Sequence, residues 1–222
     1  DLDSHAIAAL EHATRLDESV ASGWYNLGTL YARNDNMDKA IEAFENTIEL
    51  DSRHLKARMK LVDYAKESGK MGDILLHGIA FLEVQDDADL RNEIIEHLLT
   101  CGEQEVDVLE NITGIPPTMP EAPQLAQYAL DLLPPGPSEQ RARAMTLKGD
   151  NIESVKIWKE LIQTDKENPG LWKGLARSLE AAGDLDTAQR CHSKANELET
   201  GTQVPPPSEP EPQPQPQQQI PI

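Results

Sequence analysis

The segment that most constrains the fold runs from residue 24 to residue 51 and reads WYNLGTLYARNDNMDKAIEAFENTIELD. Trp24, Leu27 and Tyr31 are three and four residues apart, so they share one face of a helix. Gly28 lies on the same face. Because it has no side chain, a second helix can approach this face closely.

A second amphipathic helix follows a short turn. The polar triplet at 34–36, Asn-Asp-Asn, is typical of a turn. The residues after it repeat an apolar stripe at helical spacing: Ala40, Ile41, Phe44, Thr47 and Ile48. Two such helices form an antiparallel hairpin, and one hairpin cannot bury both of its faces. The sequence therefore predicts several hairpins packed side by side.

This spacing resembles the tetratricopeptide repeat (TPR) family. With Ala21 as position 1, the first helix carries the pattern W-x2-L-G-x2-Y, and the second carries A-x3-F at Ala40 and Phe44. Ser52 stands where the family has proline. The resemblance implies an all-α, TPR-like superhelical solenoid of antiparallel helix hairpins, whose first helices line a concave groove that binds protein ligands.

Continuing this register divides the chain into predicted segments. An insertion is expected because the N-terminal and C-terminal registers are offset by roughly a dozen residues, in a stretch rich in proline. The predicted segments are an orphan second helix of a truncated repeat at 1–20, TPR-like repeats at 21–102 (21–54, 55–88 and the start of 89–134), a Pro-containing insertion loop at 103–123, remaining repeats at 124–200 (135–168 and 169–200), and a disordered Pro/Gln-rich tail at 201–222.

Two features suggest that the sequence belongs to a longer protein. The stretch 5–16 matches a second helix whose first-helix partner would precede residue 1. The chain also lacks an initiating Met. We therefore expect further residues upstream.

Composition limits the function classes. The net charge of −19 opposes nucleic-acid binding, which requires a basic surface. No apolar run approaches the ~20 residues of a membrane-spanning helix. The two cysteines form no CxxC motif and favour a reducing, cytoplasmic location. We therefore expect protein or peptide partners, with no nucleic acid and no membrane insertion.

The resemblance also identifies groove positions on the first helices of the first two complete repeats. Between residues 53 and 70 the sequence has six cationic side chains and two carboxylates. This local excess of positive charge is unusual in so acidic a chain and could hold a carboxylate ligand. The predicted peptide-binding residues are Tyr25, Asn26, Thr29, Arg33, Lys56, Met59, Lys60, Asp63 and Lys66.

Three of these residues resemble part of the carboxylate clamp of heat-shock co-chaperones. Asn26, Lys56 and Lys60 stand at the spacing of three of its five residues, although the last is usually Arg in that family. The plainer interpretation is a solvated lysine face, since two lysines one helical turn apart are common on helix surfaces.

The sequence offers little evidence for catalysis. Glu93, His97 and Cys101 share one helical stripe, but a zinc site needs further ligands and none is evident. No phosphate-binding Gly loop, GxSxG or HExxH motif occurs. We therefore expect no enzyme activity, no metal and no cofactor.

The predicted function is a non-enzymatic scaffold for protein–protein interaction, binding an extended or acidic peptide in the concave groove. Two alternatives stay open. The chain is the regulatory or substrate-recruiting arm of a larger enzyme whose catalytic domain lies upstream, or it is a structural scaffold that self-associates through the apolar face of the orphan helix.

Overall fold

The structure is a computed structural model that describes residues 2–115 and 121–201 of the chain. The disorder predicted for the Pro/Gln-rich tail therefore concerns residues almost entirely outside this description. All regular structure within the described residues is helical. The helices are α1 (Leu2–Leu16), α2 (Ala21–Arg33), α3 (Met37–Leu50), α4 (Leu55–Ser68), α5 (Met71–Leu82), α6 (Ala88–Gln104), α7 (Leu109–Thr113), α8 (Ala122–Leu132), α9 (Glu139–Lys148), α10 (Asn151–Thr164), α11 (Pro169–Ala181) and α12 (Leu185–Thr200).

These helices pack as hairpins that stack side by side. The hairpins are α2 with α3, α4 with α5, α6 with α8, α9 with α10, and α11 with α12. Each hairpin contacts the next, through α3 and α4, α5 and α6, α8 and α9, and α10 and α11. The first helices α6, α9 and α11 also contact one another in turn. The predicted fold class, an all-α solenoid of TPR-like hairpins, is confirmed.

Phe44 organises the first hairpin. Its side chain is fully buried. A Cβ added to Gly28 would lie 3.0 Å from Phe44 Cε1 and 3.2 Å from the Ala40 carbonyl oxygen. The missing side chain therefore lets α2 lie directly against α3. The Tyr64 ring of α4 stacks on Phe44 with centroids 6.1 Å apart, which joins the first hairpin to the second.

Buried side chains form three clusters along the stack, and single helices connect them. On α4, Leu61 packs in the first cluster and Val62 in the central one. On α9, Ala144 belongs to the central cluster and Ala142 to the C-terminal one. Each of these helices therefore buries two faces against different neighbours. This is the arrangement that the paired apolar stripes predict.

The described part of the segment predicted as an insertion loop, 103–123, contains helical residues. The helix α6 extends to Gln104, and α7 lies inside the segment predicted as a loop. The Glu121 carboxylate accepts hydrogen bonds from the backbone N–H groups of Val108 (2.9 Å) and Leu109 (3.3 Å), which satisfies the N-terminus of α7. The helix α7 packs on α5, where Asn111 contacts Gly72 so closely that a Cβ would clash. α8 then completes the hairpin with α6.

None of the described helices combines the length and the apolar character that crossing a membrane requires.

Replacing Phe44 with Ala should lower the free energy of unfolding by about 3–5 kcal/mol, because it removes a fully buried ring and leaves a cavity between three helices. Urea unfolding followed by Trp24 fluorescence, since Trp24 packs against the same cluster, would measure this change. The exposed Glu49→Ala variant on the same helix is the control, with an expected change within about 0.5 kcal/mol. If the Phe44→Ala and Glu49→Ala variants were equally stable, this would contradict the role of Phe44 as the organising residue of the first hairpin.

His77 is a buried ionisable group on α5. Its side chain is 6% exposed, and its Nδ1 atom has no hydrogen-bond partner among the described residues. Burial lowers the pKa of His77 from 6.5 to about 4, because the charged imidazolium would lose its hydration, and nearby Asp73 opposes this only partly. His77 is therefore neutral in the folded protein at pH 7.

The pKa of His77 predicts a loss of stability as pH falls from 6.5 to about 4, because the unfolded chain takes up a proton there and the folded chain does not. The slope from this group is at most about 1.4 kcal/mol per pH unit. Urea unfolding at pH 7.5 and 4.5 should show a smaller difference in His77→Leu than in the native chain. His12→Leu, on the exposed side of α1, should behave like the native chain. Equal pH dependence in both variants would contradict a buried neutral His77.

Candidate functional site

Among the predicted groove residues on α2, one mainly packs and three are exposed. The Tyr25 ring is half-buried, with its centroid 5.7 Å from that of Phe44 and 4.7 Å from that of His54. Asn26 and Thr29 are exposed, and the Thr29 hydroxyl donates to the Tyr25 carbonyl oxygen at 2.9 Å. Asn26, Thr29 and the exposed Arg33 thus present polar groups to solvent.

Most predicted groove cations already face a carboxylate. Arg33 lies 3.5 Å from Asp3, and Lys60 lies 3.6 Å from Asp63, which is itself one of the predicted groove residues. Lys66 donates to Glu93 of α6 at 2.6 Å. The local excess of positive charge read from the sequence is therefore reduced by the fold.

Two further predicted residues on α4 differ in their surroundings. Met59 is half-buried and packs against the central core cluster. Lys56 is exposed, and no ion pair or hydrogen bond from its amine occurs within residues 2–115 and 121–201. Lys56 is therefore the cation of this set most available to a ligand. The clamp of Asn26, Lys56 and Lys60 stays a prediction.

The stripe of Glu93, His97 and Cys101 does not form a metal centre. His97 Nε2 lies 3.6 Å from Glu93 Oε1, whereas Cys101 is buried and packs in the central cluster. Burial raises the pKa of the Cys101 thiol, which disfavours the thiolate that metals bind. Within the described residues, no group of three or more His, Cys, Asp or Glu side chains is placed to hold a metal ion.

A concavity lies between the first helices of the later hairpins. A cavity of about 700 Å³ opens between α6, α9 and α11, within the ~300–1,000 Å³ range of ligand pockets. Its lining combines charged, hydroxyl, apolar and glycine positions. These are Glu103, Glu139, Arg143, Thr146, Leu147, Trp158, Gly170, Lys173, Gly174, Arg177 and Ser178.

The floor of this cavity is formed by Trp158 and two glycines. Gly170 and Gly174 are one helical turn apart on α11. Trp158 of α10 is 2% exposed, and its ring contacts Gly174 so closely that a Cβ there would clash. The absence of a side chain at Gly174 therefore lets the Trp158 ring of α10 lie directly against α11.

Three hydroxyl groups meet beneath the cavity wall. The Oγ1 of Thr146 and the Oγ atoms of Ser154 and Ser178 lie 2.8 Å from one another. Ser154 also donates to the Ala142 carbonyl oxygen at 2.8 Å. This network joins α9, α10 and α11 and satisfies buried polar atoms. It fixes the position of the helices that carry the cavity.

Arg143 bridges α9 to α6 across one edge of the cavity. It donates to Glu96 at 2.7 Å and, through two nitrogens, to both oxygens of Glu103 at 2.7 and 2.9 Å. Burial opposes ionisation of Glu96, but hydrogen bonds from Arg143 and Gln140 outweigh it, so the pKa of Glu96 is lowered. The hydrogen bonds to Glu103 and to Glu96 raise the pKa of Arg143, although its burial opposes this. The positive charge of Arg143 is thus paired with carboxylates of the protein itself.

The two cations of α11 differ. Lys173 donates to Glu199 of α12 at 2.6 Å. Arg177, one turn further along α11, is exposed, and in the part of the chain that the structure describes its guanidinium has no ion-pair or hydrogen-bond partner. Arg177 is therefore the cation of the cavity that can bind a ligand carboxylate without losing an existing partner.

Comparison with known proteins agrees with this architecture. The tetratricopeptide repeat family model matches residues 21–54. Residues 21–54 therefore match one tetratricopeptide repeat. The repeat supports a role as a protein-interaction scaffold. No curated protein matches the sequence.

Solved structures similar to this chain have low sequence identity to it. YrrB, described as a TPR protein with an unusual peptide-binding site, is 14% identical, with a TM-score of 0.45, and the match covers 86% of this chain and 92% of YrrB. The MamA protein is 14% identical with a TM-score of 0.47, over 83% of this chain and 98% of MamA. TTC0263, a TPR protein of Thermus thermophilus, is 18% identical with a TM-score of 0.41, over 81% and 91%. The match to the family concerns the repeat at 21–54 alone.

Sequence reasoning followed the TPR groove positions only through α2 and α4, and so missed the cavity. The same register was visible at the C-terminal end. Glu139 and Lys173 occupy equivalent positions in successive repeats, and so do Arg143 and Arg177, each pair one repeat length apart. Extending the groove positions to α9 and α11 would have found these residues.

Replacing Arg143 with Gln should cost about 1–2 kcal/mol of stability at pH 7, because two partly exposed carboxylates lose their shared cation. The pKa of Glu96 is lower in the folded protein than in the unfolded chain, where it is about 4.3. The stability that the ion pair with Arg143 contributes is therefore complete above pH 4.3 and is lost as the pH falls below that value. Urea unfolding at pH 7 and pH 3 measures both effects.

The matched control is Lys156→Gln, which breaks the exposed pair with Glu153 and should change stability by less than about 0.5 kcal/mol. An Arg143→Gln penalty that is the same at both pH values would show that its loss acts through packing and not through these carboxylates.

Proposed function

We propose that this TPR protein is a scaffold that binds an extended acidic peptide along its concave groove, with the α6–α9–α11 cavity as the main contact. The observation that carries the proposal is the cavity itself. It is lined by equivalent positions of two successive repeats and includes an exposed arginine without an internal partner among the described residues.

The chemistry of the cavity favours a ligand carboxylate. A bond from Arg177 to a carboxylate would be charge-assisted, and such bonds are worth about 1.5–3 kcal/mol. Glu139 on the opposite helix repels a second ligand carboxylate near it, so the acidic group is favoured at the α11 wall.

A second contact region for the same peptide lies on α2 and α4. Asn26 and Lys56 are exposed there and offer hydrogen-bond donors, and the exposed Thr29 hydroxyl offers an acceptor. Arg33, Lys60 and Lys66 can contribute only by exchanging their present carboxylate partners. Tyr25, Met59 and Asp63 complete the proposed region. An extended peptide that reaches both regions would gain affinity from each.

The test is selection of random 12-residue peptides displayed on phage, at low salt, on the immobilised chain. Enrichment of Asp and Glu over the starting library is expected. A selected peptide, labelled with a fluorophore, should bind the Arg177→Gln variant about 10- to 100-fold more weakly, because one charge-assisted hydrogen bond is lost. Binding should also weaken with added salt.

Two further variants locate the site. Arg190→Gln removes an exposed cation on α12 outside the cavity and should leave affinity unchanged. Lys56→Gln/Lys60→Gln tests the α2–α4 region by itself. Loss of binding in that variant alone would move the site to the N-terminal repeats. Selection without any acidic enrichment would contradict the proposed ligand class.

A further inference from the structure

The ionic contacts of the cavity leave two of its charges unpaired, and these two are opposite in sign. Arg143 and Lys173 are bonded to carboxylates of the protein itself. Glu139 and Arg177 are both exposed and both line the cavity. Among the described residues, neither of them has an ion-pair or hydrogen-bond partner for its charged group. A ligand in this cavity therefore meets one available carboxylate and one available cation.

These two side chains project from neighbouring first helices. The helices α9 and α11 run in the same direction, because α10 reverses the chain between them, and they contact each other. Glu139 and Lys173 occupy equivalent repeat positions, and Arg177 follows Lys173 by four residues. Arg177 is therefore displaced from Glu139 by about one helical turn, ~6 Å, along the groove.

The separation of the two charges suits a short stretch of extended peptide. Packed helix axes are about 8–10 Å apart, so a one-turn offset places the two Cα atoms on the order of 11 Å from each other. An extended chain advances ~3.3 Å per residue, so ligand side chains about two to four residues apart can reach both groups. A single peptide segment can thus contact Glu139 and Arg177 together.

The two walls of the cavity favour different ligand residues. A ligand carboxylate on Arg177 forms a charge-assisted hydrogen bond. A second ligand carboxylate beside Glu139 would be repelled, and a neutral residue there would cover the Glu139 carboxylate without giving it a partner. A ligand lysine or arginine satisfies this carboxylate. The cavity therefore complements a basic residue at the α9 wall and an acidic residue at the α11 wall.

We infer that Glu139 is a specificity-determining residue that binds a lysine or arginine of the peptide, while Arg177 binds an aspartate or glutamate about two to four residues away. This inference rests on the function proposed for the groove and adds the charge pattern of the ligand. The ligand class is then an extended peptide in which a basic and an acidic residue lie close together.

Peptide selection on variants of the full chain tests this pattern. The random peptide library displayed on phage is selected in parallel on the native chain, Glu139→Gln and Glu139→Lys. The native chain should enrich Lys or Arg near the selected Asp or Glu. Glu139→Gln should keep the acidic residue and lose the basic one, and Glu139→Lys should enrich a second acidic residue in its place. Glu160→Gln, which changes an exposed carboxylate of α10 outside the cavity, should select the native pattern.

A charge exchange between peptide and protein tests the contact itself. A labelled peptide from the native selection should bind Glu139→Gln about two- to five-fold more weakly, as expected for one exposed ion pair. Its counterpart with the basic residue changed to Glu should bind the native chain about five- to ten-fold more weakly and recover affinity on Glu139→Lys. A purely structural role of Glu139 would not produce this recovery.

The fold of the variants is checked by far-ultraviolet circular dichroism. Glu139→Lys places a cation in the first turn of α9, where the helix dipole disfavours it. If that variant loses helix content, the comparison of the native chain with Glu139→Gln decides alone, because Gln adds no positive charge.

The outcomes separate this inference from the proposed function. Acidic enrichment on the native chain, with basic residues enriched equally or not at all on native and Glu139→Gln chains, would overturn the role of Glu139 and leave the acidic-peptide function standing. Absence of acidic enrichment on the native chain would reject the proposed function and the two-charge pattern together.

Discussion

Every helix hairpin in this protein has two apolar faces, and the rest of the structure depends on burying both. The helix α4 shows the constraint at the level of neighbouring residues, because Leu61 packs toward the first hairpin and Val62 toward the next cluster. A hairpin with one uncovered face would expose a row of large apolar side chains. Stacking is therefore a requirement of the sequence pattern, and the concave groove is a consequence of stacking.

The same local rule explains why the insertion is tolerated. Each hairpin touches only its neighbours, so extra residues between α6 and α8 need only return the chain to the same packing position. The sequence indicates the insertion through its prolines and the register offset. It does not indicate α7, whose N-terminus depends on Glu121, 13 residues from Val108. It also gives no reason to expect that Gly72 would receive Asn111, because that contact forms only after folding.

Prediction of the groove had a similar limit. The repeat register correctly describes which helices form hairpins, since Trp, Leu, Gly and Tyr spacing is local. Which charged side chains of the groove are paired, however, depends on contacts between residues far apart in the sequence. Lys66 meets Glu93 across 27 residues, and Arg143 meets Glu96 across 47. A count of cations between residues 53 and 70 treats Lys66 as available, whereas the fold supplies its partner from the next repeat.

Under the proposed function, these internal pairs determine how a groove in so acidic a chain would select an acidic ligand. A ligand carboxylate at Lys66 or Lys173 must displace a carboxylate already bonded at 2.6 Å, so the exchange yields little net free energy. At Arg177 the ligand forms a new charge-assisted bond without such an exchange. The net charge of −19 repels acidic ligands at long range and makes weak, unspecific contacts unfavourable. Specificity then follows from placement, because only a ligand that positions its carboxylate against Arg177 recovers the energy lost on approach.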